Sequence, residues 1–163
     1  MTITPGLFQT ILADPPWRFG NTRTRAAAGD HYPTLAYPEI AGLVVDGVPV
    51  SRLVGEQGHL YLWVTAAHLQ EGLGNYWRHA HEICLFGVRG NVRGRNASTI
   101  DVFHAAREEH SRKPEAFYEL IERFSPGPMI ELFARRTRPW WVSWGNDPAV
   151  LAPLDTDVVE PNS

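Results

Sequence analysis

The sequence contains a single cysteine, Cys84, among its 163 residues. One cysteine cannot form an intramolecular disulfide, and it excludes a cluster of thiolate ligands around a metal. No apolar run is long enough to cross a bilayer, and the first residues show no charged segment followed by an apolar one. We therefore expect one globular domain in a reducing, cytoplasmic setting, without a membrane span.

An excess of positive charge is also lacking, because 15 Lys and Arg stand against 18 Asp and Glu, for a formal net charge of −3. This balance argues against a wide phosphate-binding surface, so contact with a nucleic acid would depend on local patches. Two arginine clusters could supply them: Arg18, Arg23 and Arg25, and Arg89, Arg93 and Arg95. Taken alone, such a cluster is more often a solvated loop. Because both clusters follow predicted strands, we expect them to lie on the same side of the sheet and to flank the functional site.

Zinc-ligand spacing is absent as well. His79 and His81 alternate along the chain, but no second pair of ligands accompanies them, and no cysteine supports them. Alternating histidines are usually surface or hydrogen-bonded residues, so the sequence predicts no metal site.

Short apolar runs bounded by polar or proline-containing stretches indicate strands that alternate with a helix. The helix is the clearest element, since Phe117, Leu120, Ile121 and Phe124 share one face, Pro114 suits its first turn, and a Ser-Pro-Gly sequence follows it. The predicted strands cover residues 8–13, 59–65, 82–88, 129–134 and 141–144. This order predicts an α/β domain over residues 1–147, followed by a loosely ordered acidic tail over 148–163.

The tetrapeptide Asp14-Pro15-Pro16-Trp17 directly follows the first predicted strand, at the edge where α/β sheets bind ligands. A carboxylate that accepts one N–H of an exocyclic amine makes that nitrogen more electron-rich, and a backbone carbonyl can accept the other. Prolines remove donors and fix the direction of the chain, while Trp17 offers a face for an extruded base. An ordinary turn with a packed tryptophan explains the same four residues equally well.

Several further blocks, in the same order along the chain, resemble the DPPW-type N6-adenine methyltransferases, the MT-A70-like family. The resemblance covers roughly residues 8–147, in forms closest to bacterial and phage members. The blocks after Asp14-Pro15-Pro16-Trp17 are residues 59–65, 75–78, 81–82, 86–91, 110–114, 125–127, 130–135 and 144–146. An ordered set of this kind is far more specific than any one motif.

The resemblance implies a Rossmann-like fold in which the catalytic block precedes the cofactor block, and a reaction that uses S-adenosylmethionine. Asp14 would bind the target amine and touch the cofactor, and Lys113 would pair with the carboxylate of the cofactor. Glu131, Arg135 and Asn146 match positions near its ribose. Thr137-Arg138 and Asp147 depart from the family pattern. The substrate would be an adenine in a nucleic acid, with DNA favoured over RNA.

The resemblance implies that one helix and one strand of the family are missing between Thr65 and Glu82. The strand over residues 82–88 should then lie at a sheet edge, and the protein should be marginally stable or associate with itself or a partner. The missing segment also leaves a second reading open, in which the chain is a degenerate, non-catalytic subunit that binds nucleic acid or an active partner. The intact Asp14 motif and Lys113 argue against this reading.

Overall fold

A computed structural model describes residues 2–18, 34–64, 81–96, 98–105 and 113–145. Its centre is a five-stranded sheet built from β1 (Phe8–Ala13), β4 (Val54–Val64), β5 (Ile83–Arg89), β6 (Met129–Leu132) and β7 (Trp141–Trp144). The strands lie in the order β5-β4-β1-β6-β7. Around the sheet lie the short helix α1 (Tyr37–Ala41), a hairpin of β2 (Val44–Val45) and β3 (Val48–Pro49), a 3-10 turn (Val50–Arg52) and the helix α2 (Glu115–Phe124).

Strand direction decides which loops meet at each end of the sheet. β1 pairs in parallel with β4 and β6, and β6 pairs in parallel with β7. β5 runs antiparallel to β4, so Ile83 lies opposite Val64 and Arg89 lies opposite Gly58. The carboxyl ends of four strands therefore share one edge with the start of β5. This mostly parallel α/β sheet fits a Rossmann-like methyltransferase fold.

Helix α2 covers one face of the sheet. Its side chains at helical spacing, Phe117, Tyr118 and Ile121, are buried. They pack with sheet residues into one apolar cluster, whose remaining members are Leu12, Tyr61, Trp63, Met129 and Trp141. The helix begins directly after Pro114 and ends where the Ser125 amide donates to the Ile121 carbonyl, so both of its predicted ends are confirmed.

The opposite face is covered by the N-terminal segment and the hairpin. Here Phe8, Leu53, Val45 and Ile130 are fully buried in a second apolar cluster. The hairpin was not predicted. Its two-residue strands are too short to show a period, although Asp46-Gly47 at the turn is a strong hairpin signal, and both residues have positive φ.

The five predicted strands and the predicted helix all occur, and three of these six elements have shifted bounds. β1, β7 and α2 match their predicted residues, whereas β4 begins five residues earlier than the predicted strand and β6 ends two residues sooner. Within the described part of the chain, β5 pairs only with β4 and lies at the sheet edge, as predicted. That a family helix and strand are missing beside it stays a prediction, because residues 65–80 lie outside the described residues.

Among the described residues, no helix is both long and apolar enough to cross a membrane. The predicted acidic tail over residues 148–163 falls outside the described part of the chain.

Candidate active site

Asp14 is the first residue after β1, at the edge of the sheet where the parallel strands end. Lys113, next to the start of α2, reaches the same point, and its Nζ lies 3.2 Å from the Asp14 Oδ2. Glu82, immediately before β5, places its Oε2 2.7 Å from the same Nζ. The ammonium also lies 4.5 Å from the centre of the Trp63 ring. The fold thus brings together Asp14 and Lys113, which are 99 positions apart in the sequence.

The charges of this group depend on one another. Burial raises the pKa of Asp14 above its ordinary value, and the nearby Lys113 ammonium opposes this rise. Burial alone would lower the pKa of Lys113, but the Asp14 and Glu82 carboxylates outweigh it and raise that pKa. Each charge is therefore held in a poorly hydrated place by its partner. A carboxylate with a raised pKa is also a stronger hydrogen-bond acceptor for a neutral amine.

The segment after Asp14 is fixed by its own backbone and by Trp17. The Pro15 carbonyl accepts from the Trp17 amide at 2.9 Å, and the Pro16 carbonyl accepts from the Leu35 amide at 2.7 Å. Each carbonyl keeps a second lone pair for a further donor. The Trp17 indole N–H donates to the Trp63 carbonyl at 2.8 Å, and the side chain is buried. Trp17 therefore ties the motif to the end of β4, while its stacking on an extruded base stays a prediction.

Glu131 is buried one residue before the end of β6, with 6% of its surface exposed. Its Oε1 accepts a hydrogen bond from the Tyr118 hydroxyl at 2.8 Å. Its Oε2 has no hydrogen-bond partner within the described residues, and neither has the Oγ of Ser143, the facing residue on β7. Burial, opposed by the Tyr118 hydrogen bond, raises the pKa of Glu131 to about 6. One oxygen of this buried carboxylate is therefore hydrogen-bonded, and the other has no partner among the described residues.

Arg135, one of the two further predicted ribose contacts, lies in the connection from β6 to β7. Arg135 is exposed, and its positive charge acts to lower the pKa of Asp14. The loop is held against α2 because Arg136 bonds Glu115 at 2.7 Å and Arg138 bonds both Glu115 and Glu122. Asn146, the other predicted ribose contact, lies outside the described residues.

The described members of the two arginine clusters do not lie at one end of the sheet, so for these residues the prediction was wrong. Arg18 lies near the Asp14 edge and forms an ion pair with Glu39 at 3.0 Å. The loop with Arg93 and Arg95 follows β5, whose antiparallel direction carries it to the opposite end of the sheet. There the Arg95 amide donates to the Phe124 carbonyl at the end of α2.

The Arg89 guanidinium donates to the carbonyls of Ser51, Val54 and Gly55, which gives it a structural role at the start of β4. Arg23 and Arg25 fall outside the described residues. Of the predicted nucleic-acid contacts that the structure describes, only Arg18 lies at the Asp14 edge.

Glu82, Trp63 and Tyr118 complete the site but were not predicted as site residues. Glu82 had appeared as the first residue of a predicted strand and in a block of the family resemblance, without a role of its own, and its 31-residue separation from Lys113 gives no local signal. Trp63 and Tyr118 look like ordinary core residues in the sequence, because each lies in an apolar stretch.

Comparisons with known proteins match most of the chain. Residues 70–147 match the MT-A70 family. The N(6)-adenosine-methyltransferase catalytic subunit METTL3 of Homo sapiens is 31% identical over 189 residues, which cover 94% of this chain and 30% of that protein. The N(6)-adenosine-methyltransferase MT-A70-like of Arabidopsis thaliana is 32% identical over 165 residues, covering 86% of this chain and 24% of that protein. The type II methyltransferase M.MunI of Mycoplasma sp is 25% identical, with 85% of this chain and 76% of that protein covered. The chain thus spans about 30% or less of the length of these eukaryotic relatives.

Proposed function

We propose that this chain methylates the N6 amine of adenine in a nucleic acid. The match of residues 70–147 to the MT-A70 family and the similarity to METTL3 both support this function. The observation that carries the proposal is the partly buried Asp14 carboxylate, held by Lys113 at the edge of the sheet where ligands bind. A carboxylate in this position can accept a hydrogen bond from an exocyclic amine and orient its lone pair.

The residues around Asp14 fit S-adenosylmethionine as the methyl donor. This molecule carries a carboxylate, for which Lys113 supplies a cation. It also carries ribose hydroxyls, for which Glu131 Oε2, without a hydrogen-bond partner among the described residues, supplies an acceptor. In the sequence, Arg135 lies four residues after Glu131, and Asn146 lies two residues after the end of β7. When bound, the donor supplies a methyl group made electrophilic by a positively charged sulfur. Lys113, Glu131, Arg135 and Asn146 are therefore the proposed contacts.

Catalysis in this proposal rests on position and electrostatics rather than on covalent chemistry by the protein. Asp14 accepts one N–H of the amine, and the free lone pairs of the Pro15 and Pro16 carbonyls are the available backbone acceptors for the other. The hydrogen bond from Trp17 to Trp63 keeps these groups in place relative to β4. A base within a duplex cannot reach Asp14, so the adenine must be unpaired or extruded.

For the substrate, we propose DNA ahead of RNA, on the basis of the bacterial and phage form of the sequence motifs. Most relatives are named as methyltransferases of adenosine, the nucleoside of RNA. Any assay must therefore also include RNA as a substrate. The 189-residue match to METTL3 is longer than this 163-residue chain, so that relative has positions without a counterpart here. This supports an internal deletion, and it makes direct measurement of activity essential.

The test compares Asp14→Asn with Asp46→Asn, a control in the β2–β3 turn, where asparagine also tolerates the positive φ. Transfer of labelled methyl groups from S-adenosylmethionine to single-stranded DNA and RNA is measured for the unaltered chain and both variants. We expect transfer by the unaltered chain and by Asp46→Asn, and none by Asp14→Asn. Cofactor binding by calorimetry without transfer to either pool would support the non-catalytic reading instead.

A further inference from the structure

The Lys113 ammonium is fully engaged before any ligand arrives. It has three N–H donors, and two carboxylates and the face of an indole lie within reach of them. The Glu82 Oε2 is 2.7 Å away, the Asp14 Oδ2 is 3.2 Å away, and the Trp63 ring centre is 4.5 Å away. Only 12% of the Lys113 side chain is exposed. A ligand carboxylate can therefore pair closely with this cation only if a present partner gives way.

The two carboxylates differ in how easily they can leave. The Asp14 side chain is 27% exposed and is fixed directly after a central strand, whereas the Glu82 side chain is 66% exposed and lies at the start of the edge strand. A largely buried carboxylate that loses its partner is left uncompensated in a poorly hydrated place, which is costly. Glu82 can turn into water and regain its hydration. Asp14 thus stays and Glu82 leaves.

We propose that Glu82 is a displaceable counter-ion of Lys113, which the carboxylate of the methyl donor replaces on binding. The inference rests on the proposed function, because it concerns the cation that would hold the donor. While the site is free of ligand, Glu82 neutralises Lys113 and keeps it in place beside Asp14. When a ligand binds, Glu82 competes with its carboxylate, so the pair lowers affinity for carboxylate-bearing ligands and leaves affinity for other ligands unchanged.

The test uses Glu82→Gln in the full chain, with binding measured by titration calorimetry. Two probes are compared, S-adenosylmethionine and decarboxylated S-adenosylmethionine, which lacks the carboxylate. Glu119→Gln is the matched control, because Glu119 is exposed on α2 and its substitution removes the same negative charge. Since a partly exposed ion pair contributes up to about a fivefold factor, we expect Glu82→Gln to bind S-adenosylmethionine about two- to fivefold more tightly. The decarboxylated probe should bind Glu82→Gln and the unaltered chain equally.

Other results overturn the inference in distinguishable ways. Unchanged or weaker binding of S-adenosylmethionine by a folded Glu82→Gln protein, checked by its thermal melt, refutes displacement while leaving the proposed function standing. Equal tightening for both probes, or the same gain in Glu119→Gln, shows a general charge effect and also refutes it. If the unaltered chain binds neither probe, the proposed function fails and the inference fails with it.

Discussion

Replacing the buried Glu131 by Gln should stabilise the fold while weakening the proposed cofactor site. Folding raises the pKa of Glu131 from an ordinary value near 4.5 to about 6, mainly through burial. The folded state therefore holds this proton more tightly than the unfolded chain does. The free energy of unfolding should fall as the pH rises from about 4.5 through about 6, because the carboxyl must ionise in a buried place.

The size of this effect follows from the same two values. A shift of about 1.5 pKa units corresponds to about 2 kcal/mol, and most of it, about 1–2 kcal/mol, should appear between pH 4.5 and pH 8. Glutamine keeps an oxygen for the Tyr118 hydroxyl and has no carboxyl group to ionise in this buried place. Glu131→Gln should therefore become more stable than the unaltered chain as the pH rises.

Urea unfolding of both proteins across this pH range measures the difference directly. The exposed Glu56 provides a matched control, Glu56→Gln, for loss of a surface carboxylate. A difference between Glu131→Gln and the unaltered chain that stays constant with pH would refute the reasoning. The same variant should bind S-adenosylmethionine more weakly, because the proposed acceptor for the ribose hydroxyls has been replaced. A gain in stability with a loss of binding is the trade-off expected of a residue kept for function.

The remaining predictions concern the charged pair and the edge strand. Asp14→Ala should abolish methyl transfer yet leave S-adenosylmethionine affinity within a few-fold by calorimetry; a variant that keeps most of its turnover would rule out Asp14 as the amine-binding residue. Lys113→Ala should weaken S-adenosylmethionine binding by about 1.5–3 kcal/mol, the value of a charge-assisted contact, and unchanged affinity would remove Lys113 from the cofactor site. Leu85→Lys should reduce self-association in sedimentation velocity, because Leu85, Phe86 and Val88 are exposed on β5 and lysine protects sheet edges. A fully monomeric unaltered chain would contradict this last expectation.

The sequence was a good guide wherever the signal is local. Phe8–Ala13, Trp141–Trp144 and the helix Glu115–Phe124 could be predicted because apolar spacing and prolines mark them within a few residues. The position of Asp14 followed from the same reasoning, since it only required that a strand end at Ala13. Local patterns therefore located the edge of the sheet that carries Asp14.

Direction and long-range pairing could not be predicted in this way. Apolar periodicity does not reveal whether a strand runs parallel or antiparallel to its neighbour, and for this reason the loop with Arg93 and Arg95 was expected at the wrong end of the sheet. The contact between Lys113 and Glu82 joins residues 31 positions apart through a sheet edge and a helix start. Such pairs follow from the tertiary fold, which no local pattern specifies.

Nucleoside analysis of methylated products tests the central claim most directly. The full chain is incubated with S-adenosylmethionine and separate pools of single-stranded DNA and RNA, and each pool is then digested and analysed by mass spectrometry. We predict N6-methylated adenine nucleosides from the unaltered chain, more from DNA than from RNA, and none from Asp14→Asn. Adenine that stays unmethylated in both pools, with a folded protein that binds S-adenosylmethionine, would contradict the claim that this chain is an N6-adenine methyltransferase.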